Sequence, residues 1–141
     1  MGSSKAKPVP TLARKLGITG EAVFTVVDGP PEVVDLLGDV GDAVWQRSLL
    51  APLDVVLAFF SDSQRIAVKW PTLADAAMPA GVVWVAWQKH DADLTEATVR
   101  SAVRSAPRHA DWVGGQVVNV GDRWLALRFV MPEDTRPVWR R

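Results

Sequence analysis

The run Leu53-Asp54-Val55-Val56-Leu57-Ala58-Phe59-Phe60 decides the fold. It is apolar apart from Asp54, too short for a typical helix, and carries two β-branched and two aromatic residues. Such a continuous run is what a strand shows when both of its faces are covered, as in the middle of a parallel sheet. Ser61-Asp62-Ser63 supplies capping side chains for a helix predicted from Gln64 to Met78. Pro71 lacks an N–H and is expected to kink that helix or start a new segment. After the turn Pro79-Ala80-Gly81 comes a second apolar run, Val82-Val83-Trp84-Val85-Ala86-Trp87. Strand, helix and strand make a βαβ unit, whose crossover is right-handed.

Towards the N-terminus, residues 22–27 form another short β-branched strand. Asp28-Gly29 then turns the chain, Pro31 suits the first helical position, and Val33, Val34 and Leu37 are expected to share one face. Gly38 is placed to end this short helix. A weaker strand signal surrounds Trp45 within residues 43–49.

Towards the C-terminus, Thr95 can cap a helix in which Val99, Ala102, Val103 and Ala106 face the core. Leu94 and Val99 form its hydrophobic staple, Arg100 and Arg104 lie outside the apolar set, and Pro107 stops it. Residues 116–120 and 123–131 are strands joined by Gly121-Asp122, a pair suited to a two-residue type II′ turn. The edge of this hairpin could pair with another strand, and Arg123 and Arg128 are candidates to guard it. The expected fold is therefore three-layer, Rossmann-like α/β, with a mostly parallel sheet closed by a C-terminal antiparallel hairpin.

The bulk properties set limits. A chain of 141 residues fits one domain, and a hydrophobic content of 48% supports a real core. The expected division is an N-terminal arm at 1–10, one domain at 11–131 and a C-terminal tail at 132–141. No apolar stretch reaches the roughly 20 residues of a membrane span. The sequence has no cysteine, which excludes a disulfide framework and thiolate chemistry and fits a cytoplasmic protein. The net charge is zero but uneven. Residues 1–20 carry basic side chains alone, at Lys5, Lys7, Arg14 and Lys15, whereas residues 21–62 set eight carboxylates against Arg47. An acidic first half is a poor phosphate surface, so a nucleic-acid partner is not expected.

A parallel sheet closed by an antiparallel hairpin resembles the S-adenosylmethionine-dependent methyltransferase fold. Leu53–Phe60 is similar to that fold's fourth strand, and Met78-Pro79-Ala80-Gly81-Val82-Val83-Trp84-Val85 to its Leu-x-Pro-Gly-Gly-x-Leu-x-Val turn and fifth strand. A closer resemblance is to a family of short bacterial proteins, domain of unknown function 3052, over roughly residues 11–131. It is carried by Leu12-Ala13-Arg14-Lys15-Leu16-Gly17-Ile18, Trp84-Val85-Ala86-Trp87-Gln88-Lys89, Asp93–Arg100 and Trp124–Val130. The chain departs from that pattern in having Gln88 where relatives read proline before the lysine. It also has Leu125-Ala126 where they read Ser-Gly. The resemblance implies a truncated methyltransferase-like fold and no particular activity.

Candidate site residues follow from the strand ends. Asp28 and Gly29, Ser61 and Asp62, and Lys89 sit where α/β sheets place their ligand crevice. A cofactor loop needs glycines and free N–H groups, but Gly29 is followed by Pro30 and Pro31, which supply neither. Asp28 is expected to cap the helix. The acid that would hold a ribose after the second strand has only Asp39 and Asp42 nearby, in a glycine-bracketed loop. His90-Asp91-Ala92-Asp93 is expected to be a solvated capping loop, so no metal site is expected, and no nucleophile elbow occurs.

Seven tryptophans accompany no tyrosine. Trp84 and Trp87, three apart on a strand, should point to opposite faces. Trp70, Trp112 and Trp139 lie near expected loops or ends and are candidates for a protein interface. The leading expectation is a non-catalytic or degenerate methyltransferase-like domain acting by protein contact, as a homo-oligomer or with a partner, and binding no cofactor. The alternative is a small-molecule or S-adenosylmethionine-binding enzyme that uses the crevice.

Overall fold

The computed structural model describes residues 11–50 and 52–132. The arm at 1–10 and Trp139 lie outside the described residues. In chain order the elements are α1 (Leu12–Lys15), β1 (Val23–Val27), α2 (Val33–Leu37), β2 (Val44–Trp45) and β3 (Val55–Phe59). They continue with α3 (Ser63–Ala77), β4 (Val82–Gln88), α4 (Glu96–Arg104), β5 (Val113–Val120) and β6 (Trp124–Val130). The sheet order is β2-β1-β3-β4-β6-β5. The first four strands are parallel, and β6 enters antiparallel between β4 and β5. This is the expected Rossmann-like α/β architecture.

All five residues of β3 are buried, and the pleat sorts them. Val56 and Ala58 join a core under α3 and α4, while Val55, Leu57 and Phe59 join one under α1 and α2. The strand β4 divides the same way, with Trp87 on the first side and Trp84 on the second. The sheet is therefore the middle of three layers.

Ile66, Trp70, Leu73, Ala74 and Ala77 recur at helical spacing along α3 and are buried. Pro71 does not start a new segment, one of the two outcomes expected of it, and Ser63–Ala77 is one helix with the proline inside. Pro71 costs the helix the hydrogen bond to the carbonyl four residues back, at Ala67. The buried stripe on either side of it, Trp70 and Leu73 included, holds the helix together.

Other local expectations change too. Val33 begins α2, after a turn in which its N–H donates to the Pro30 carbonyl at 3.0 Å, so Pro31 is not helical. Val34 is 58% exposed while Val33 and Leu37 are buried, because residues four apart share a face and their neighbours do not. Gly38 ends α2 as expected. The hairpin turn spans Gly121, Asp122 and Arg123, one residue more than predicted, since Val120 pairs with Trp124. The helix α1 carries no sequence expectation. Thr11 caps it, and Trp84 pins it by donating from its indole N–H to the Leu16 carbonyl at 2.9 Å.

The capping of α4 follows the sequence: Thr95 and Thr98 exchange side chain-to-backbone bonds at 3.2 and 2.7 Å. Arg100, one turn on, reaches the edge strand β5. Its guanidinium donates to the carbonyls of Gly114 and Gly115 at 3.1 and 2.9 Å and holds Glu96 at 2.8 Å. A side chain at Gly114 would meet the Arg100 guanidinium at 2.5 Å, so only glycine leaves room for this contact. The register of β5 on β6 shifts between Gly114 and Val117. Arg128 lies on the inner strand β6 and Arg123 in the turn, so the residue on the edge carbonyls is Arg100.

Candidate functional site

The strand order reverses between β1 and β3, since β2 lies on one side of β1 and β3 and β4 on the other. In open α/β sheets the crevice at such a switch point, beyond the carboxyl ends of the strands, is where ligands bind. Two adjoining cavities of about 330 Å³ each occupy that place here, and both are bounded by Asp28, Phe60 and Arg65. One also has Phe59, Ser61, Gln88 and Trp124 on its walls. The other extends along the first turns of α3, past Asp62, Gln64 and Lys69.

Each contributor follows from its local structure. Asp28 comes directly after β1, in the left-handed region at φ 55°. Non-glycine residues rarely adopt that conformation, although aspartate tolerates it better than most. It does not cap α2, whose N-cap is Glu32 with no side-chain bond, so that expectation is corrected. Gly29 is explained by packing. A Cβ there would meet the Val26 side chain at 2.6 Å and Val33 at 3.3 Å, so its small size serves the β1–α2 contact and no ligand is needed to explain it. Asp62 caps α3, accepting from the Gln64 N–H at 2.8 Å. Ser61 lies on the crevice wall with no histidine beside it.

Lys89 does not line either cavity. It follows the last residue of β4, and its N–H donates to the Arg123 carbonyl at 2.9 Å. Gln88 is the residue of this strand end that reaches the crevice. Sequence reasoning also missed Arg65. A signal was available, because Arg65 is a cation in the first turn of a helix, where the dipole disfavours it. Arg65 makes no ion pair among the described residues.

Trp124 closes the wall, packed edge-to-face on Phe59 with ring centroids 4.9 Å apart. Its indole N–H is buried and has no hydrogen-bond partner among the described residues. A buried donor left unpaired is uncommon in native folds. The crevice thus combines an aromatic floor with two cations (Arg65 and Lys69), two carboxylates (Asp28 and Asp62), two amides (Gln64 and Gln88) and the Ser61 hydroxyl.

The other candidates fall elsewhere. Trp70 and Trp112 are 0% and 5% exposed, which corrects their reading as interface anchors. They pack edge-to-face at 5.6 Å, Trp70 also meets Phe129 at 5.1 Å, and its indole donates to the His109 carbonyl at 2.8 Å. Asp39 and Asp42 precede β2 and line a cavity with Arg14 and Thr11 at the amino ends of the strands, opposite the crevice. The residues that follow β2 are Gln46 and Arg47, the latter stacked over Trp45 at 4.3 Å, so no acid occupies the position of a ribose ligand. Asp91 turns its own loop, accepting from the N–H groups of Asp93 and Leu94. Among the described residues no group of three or more metal-ligating side chains assembles.

One charged cluster stands apart. Asp75 accepts from His109 Nε2 at 2.7 Å and from Arg108 at 3.0 Å. Partial burial pushes the Asp75 carboxyl up, but the hydrogen bonds and charges of His109 and Arg108 outweigh it and hold the group below its ordinary value.

No protein-family model matches this chain, and no curated protein does. Among solved structures, the chain is similar to the fibrillarin pre-rRNA processing protein of Methanococcus jannaschii. Sequence identity is 9% and the TM-score 0.43, over 82% of this chain and 69% of that one. It is also similar to a SAM-dependent methyltransferase from Aquifex aeolicus, at 14% identity and a TM-score of 0.44, over 86% of this chain and 88% of that one.

Proposed function

We propose that this chain is a catalytically silent, methyltransferase-like α/β domain that binds a small molecule in the crevice at the switch point of its sheet. The observation that carries the proposal is the pair of cavities sharing Asp28, Phe60 and Arg65 beyond the ends of β1 and β3. Their combined size suits a small ligand rather than a protein segment. Arg65, which makes no ion pair among the described residues, favours a ligand that carries acceptors or negative charge. Trp70 and Trp112 are buried in the core, which makes neither of them available as an anchor for protein contact.

S-adenosylmethionine is a poor fit. Pro30 and Pro31 offer no N–H groups, Val26 and Val33 fill the space around Gly29, and Arg47 follows β2 where an acid would hold the ribose. Silence in catalysis is supported by Ser61 having no base beside it. The absence of cysteine fits the reducing cytoplasm, where we place the protein. No helix among the described residues is long and apolar enough to cross a membrane.

The test is a thermal-shift screen of small carboxylic acids, sugars, nucleotides, S-adenosylmethionine and S-adenosylhomocysteine. A true ligand at 100 times its Kd stabilises the fold by about 2.7 kcal/mol. That shift should disappear in Arg65→Ala and persist in Lys89→Ala. A screen without a hit, or a hit indifferent to Arg65→Ala, would reject the crevice. Stabilisation by S-adenosylmethionine would reject its exclusion.

A further inference from the structure

At the opposite end of the sheet, where β4 begins, a cavity of about 260 Å³ is bounded by Arg14, Lys15, Val82, Trp84, Gln116 and Arg128. Three cations and an amide surround it, and no carboxylate lines it. We propose that this cavity binds a phosphate group, either as inorganic phosphate or as a small phosphomonoester.

The three cations come from two elements and the amide from a third. Arg14 and Lys15 end α1, Gln116 lies on β5, and Arg128 on β6 sits directly across from Trp84 on β4, so both point to the α1 face. None of the three cations forms an ion pair among the described residues. Arg14 also borders the cavity that contains Asp39 and Asp42 but bonds to neither. Like charges held around one cavity repel, and an anion at their centre relieves that repulsion.

Cations in a last helical turn usually answer the exposed carbonyls there. In α1 four of those carbonyls already accept hydrogen bonds. The Leu12 oxygen accepts from the Leu16 N–H, Ala13 from Ile18, Arg14 from Gly17, and Leu16 from the Trp84 indole. The Arg14 and Lys15 side chains are not engaged by those four carbonyls and remain available to an anion. The indole bond also fixes the backbone of α1 against β4. A doubly charged oxyanion matches the site better than a carboxylate, because its higher charge and additional oxygens can meet Arg14, Lys15 and Arg128 together. The volume leaves room for a small organic group beyond the phosphate.

The test is isothermal titration of the full chain with inorganic phosphate and with glycerol 1-phosphate, at constant ionic strength. The expected result is saturable one-site binding of at least one of them, weakened about tenfold or more by Arg128→Gln and severalfold by Lys15→Gln. Arg65→Gln, at the other end of the sheet, should bind as the parent does. Preference for the ester by tenfold or more assigns the ligand to phosphorylated metabolites, and equal affinity assigns it to free phosphate. If Arg128→Gln fails to fold by circular dichroism, the exposed Lys15→Gln decides. No saturable heat up to about 20 mM of either ligand, unchanged affinity in the variants, or binding of RNA or DNA alone would overturn the proposal. This outcome is independent of the crevice, which Arg65→Ala tests.

Discussion

Replacing Trp70 with phenylalanine separates a core residue from an interface residue. Trp70 is fully buried, donates to the His109 carbonyl at 2.8 Å, and packs edge-to-face on Trp112 and Phe129. Phenylalanine keeps one ring and loses the donor and the second ring. The His109 carbonyl keeps a longer bond from the Trp112 N–H at 3.4 Å, so the lost hydrogen bond costs about 1 kcal/mol, the low end of the range. Roughly 40 Å³ of cavity at about 24 cal/mol per Å³ adds about 1 kcal/mol. Weaker ring contacts add about 0.5 kcal/mol. The total, about 2–3 kcal/mol, is a large part of a typical domain's stability. At about 4 °C per kcal/mol for a domain of this size, Tm should fall by about 8–12 °C in a thermal melt followed by far-ultraviolet circular dichroism. A fall below about 3 °C would refute the core assignment, and an unchanged Tm with loss of a partner would restore the interface.

Two other perturbations bear on the charged groups. Asp75 has a depressed folded pKa, so its contribution is present above the unfolded value of about 3.9 and is lost as pH falls through the lower folded value. Its side chain is 46% exposed, so Asp75→Asn should cost less than about 1 kcal/mol at pH 7. Urea titrations should show that difference vanish in acid below that window; a gap that persists there would contradict the linkage. Asp28→Gly relieves a left-handed backbone at φ 55° and should leave stability unchanged or raise it by up to about 1 kcal/mol. The same variant should bind an anionic crevice ligand no more weakly than the parent, since a carboxylate has left the wall. A loss of more than about 1 kcal/mol in stability in urea titrations would instead show that Asp28 holds the fold.

The parts of the fold that could be read from sequence are those whose evidence is local. Leu53–Phe60 and Val82–Trp87 are continuous apolar runs, and Thr95 with its following stripe marks both the start and the face of α4. The parts that could not be read depend on distant partners. A four-residue helix such as α1 has no periodicity to detect, and what holds it is Trp84, 68 residues away in sequence. Trp70 lies next to a proline expected to kink its helix or start a new segment, and its surroundings include His109, Trp112 and Phe129, which sequence alone cannot bring to it. Gly114 and Gly115 weaken the strand signal at the start of β5, although Gly114 has a packing role there. At the site, Asp28, Ser61 and Asp62 were legible because strand ends set their place. Lys89 was wrong by one residue, enough to move a side chain out of the crevice, and Arg65 required electrostatic rather than motif reasoning.

The contact between Arg100 and the β5 carbonyls also matters for how copies of the chain behave in concentrated solution. The sequence carries no net charge at pH 7 and its pI is about 6.7, so copies lack the long-range repulsion that keeps many proteins dispersed. Colloidal stability must then come from short-range features. An open strand is the surface on which sheets of neighbouring molecules would stack into growing aggregates. Arg100 occupies two of its acceptors and places a charge there, and the register shift beside it spoils the straight template that a second strand would need.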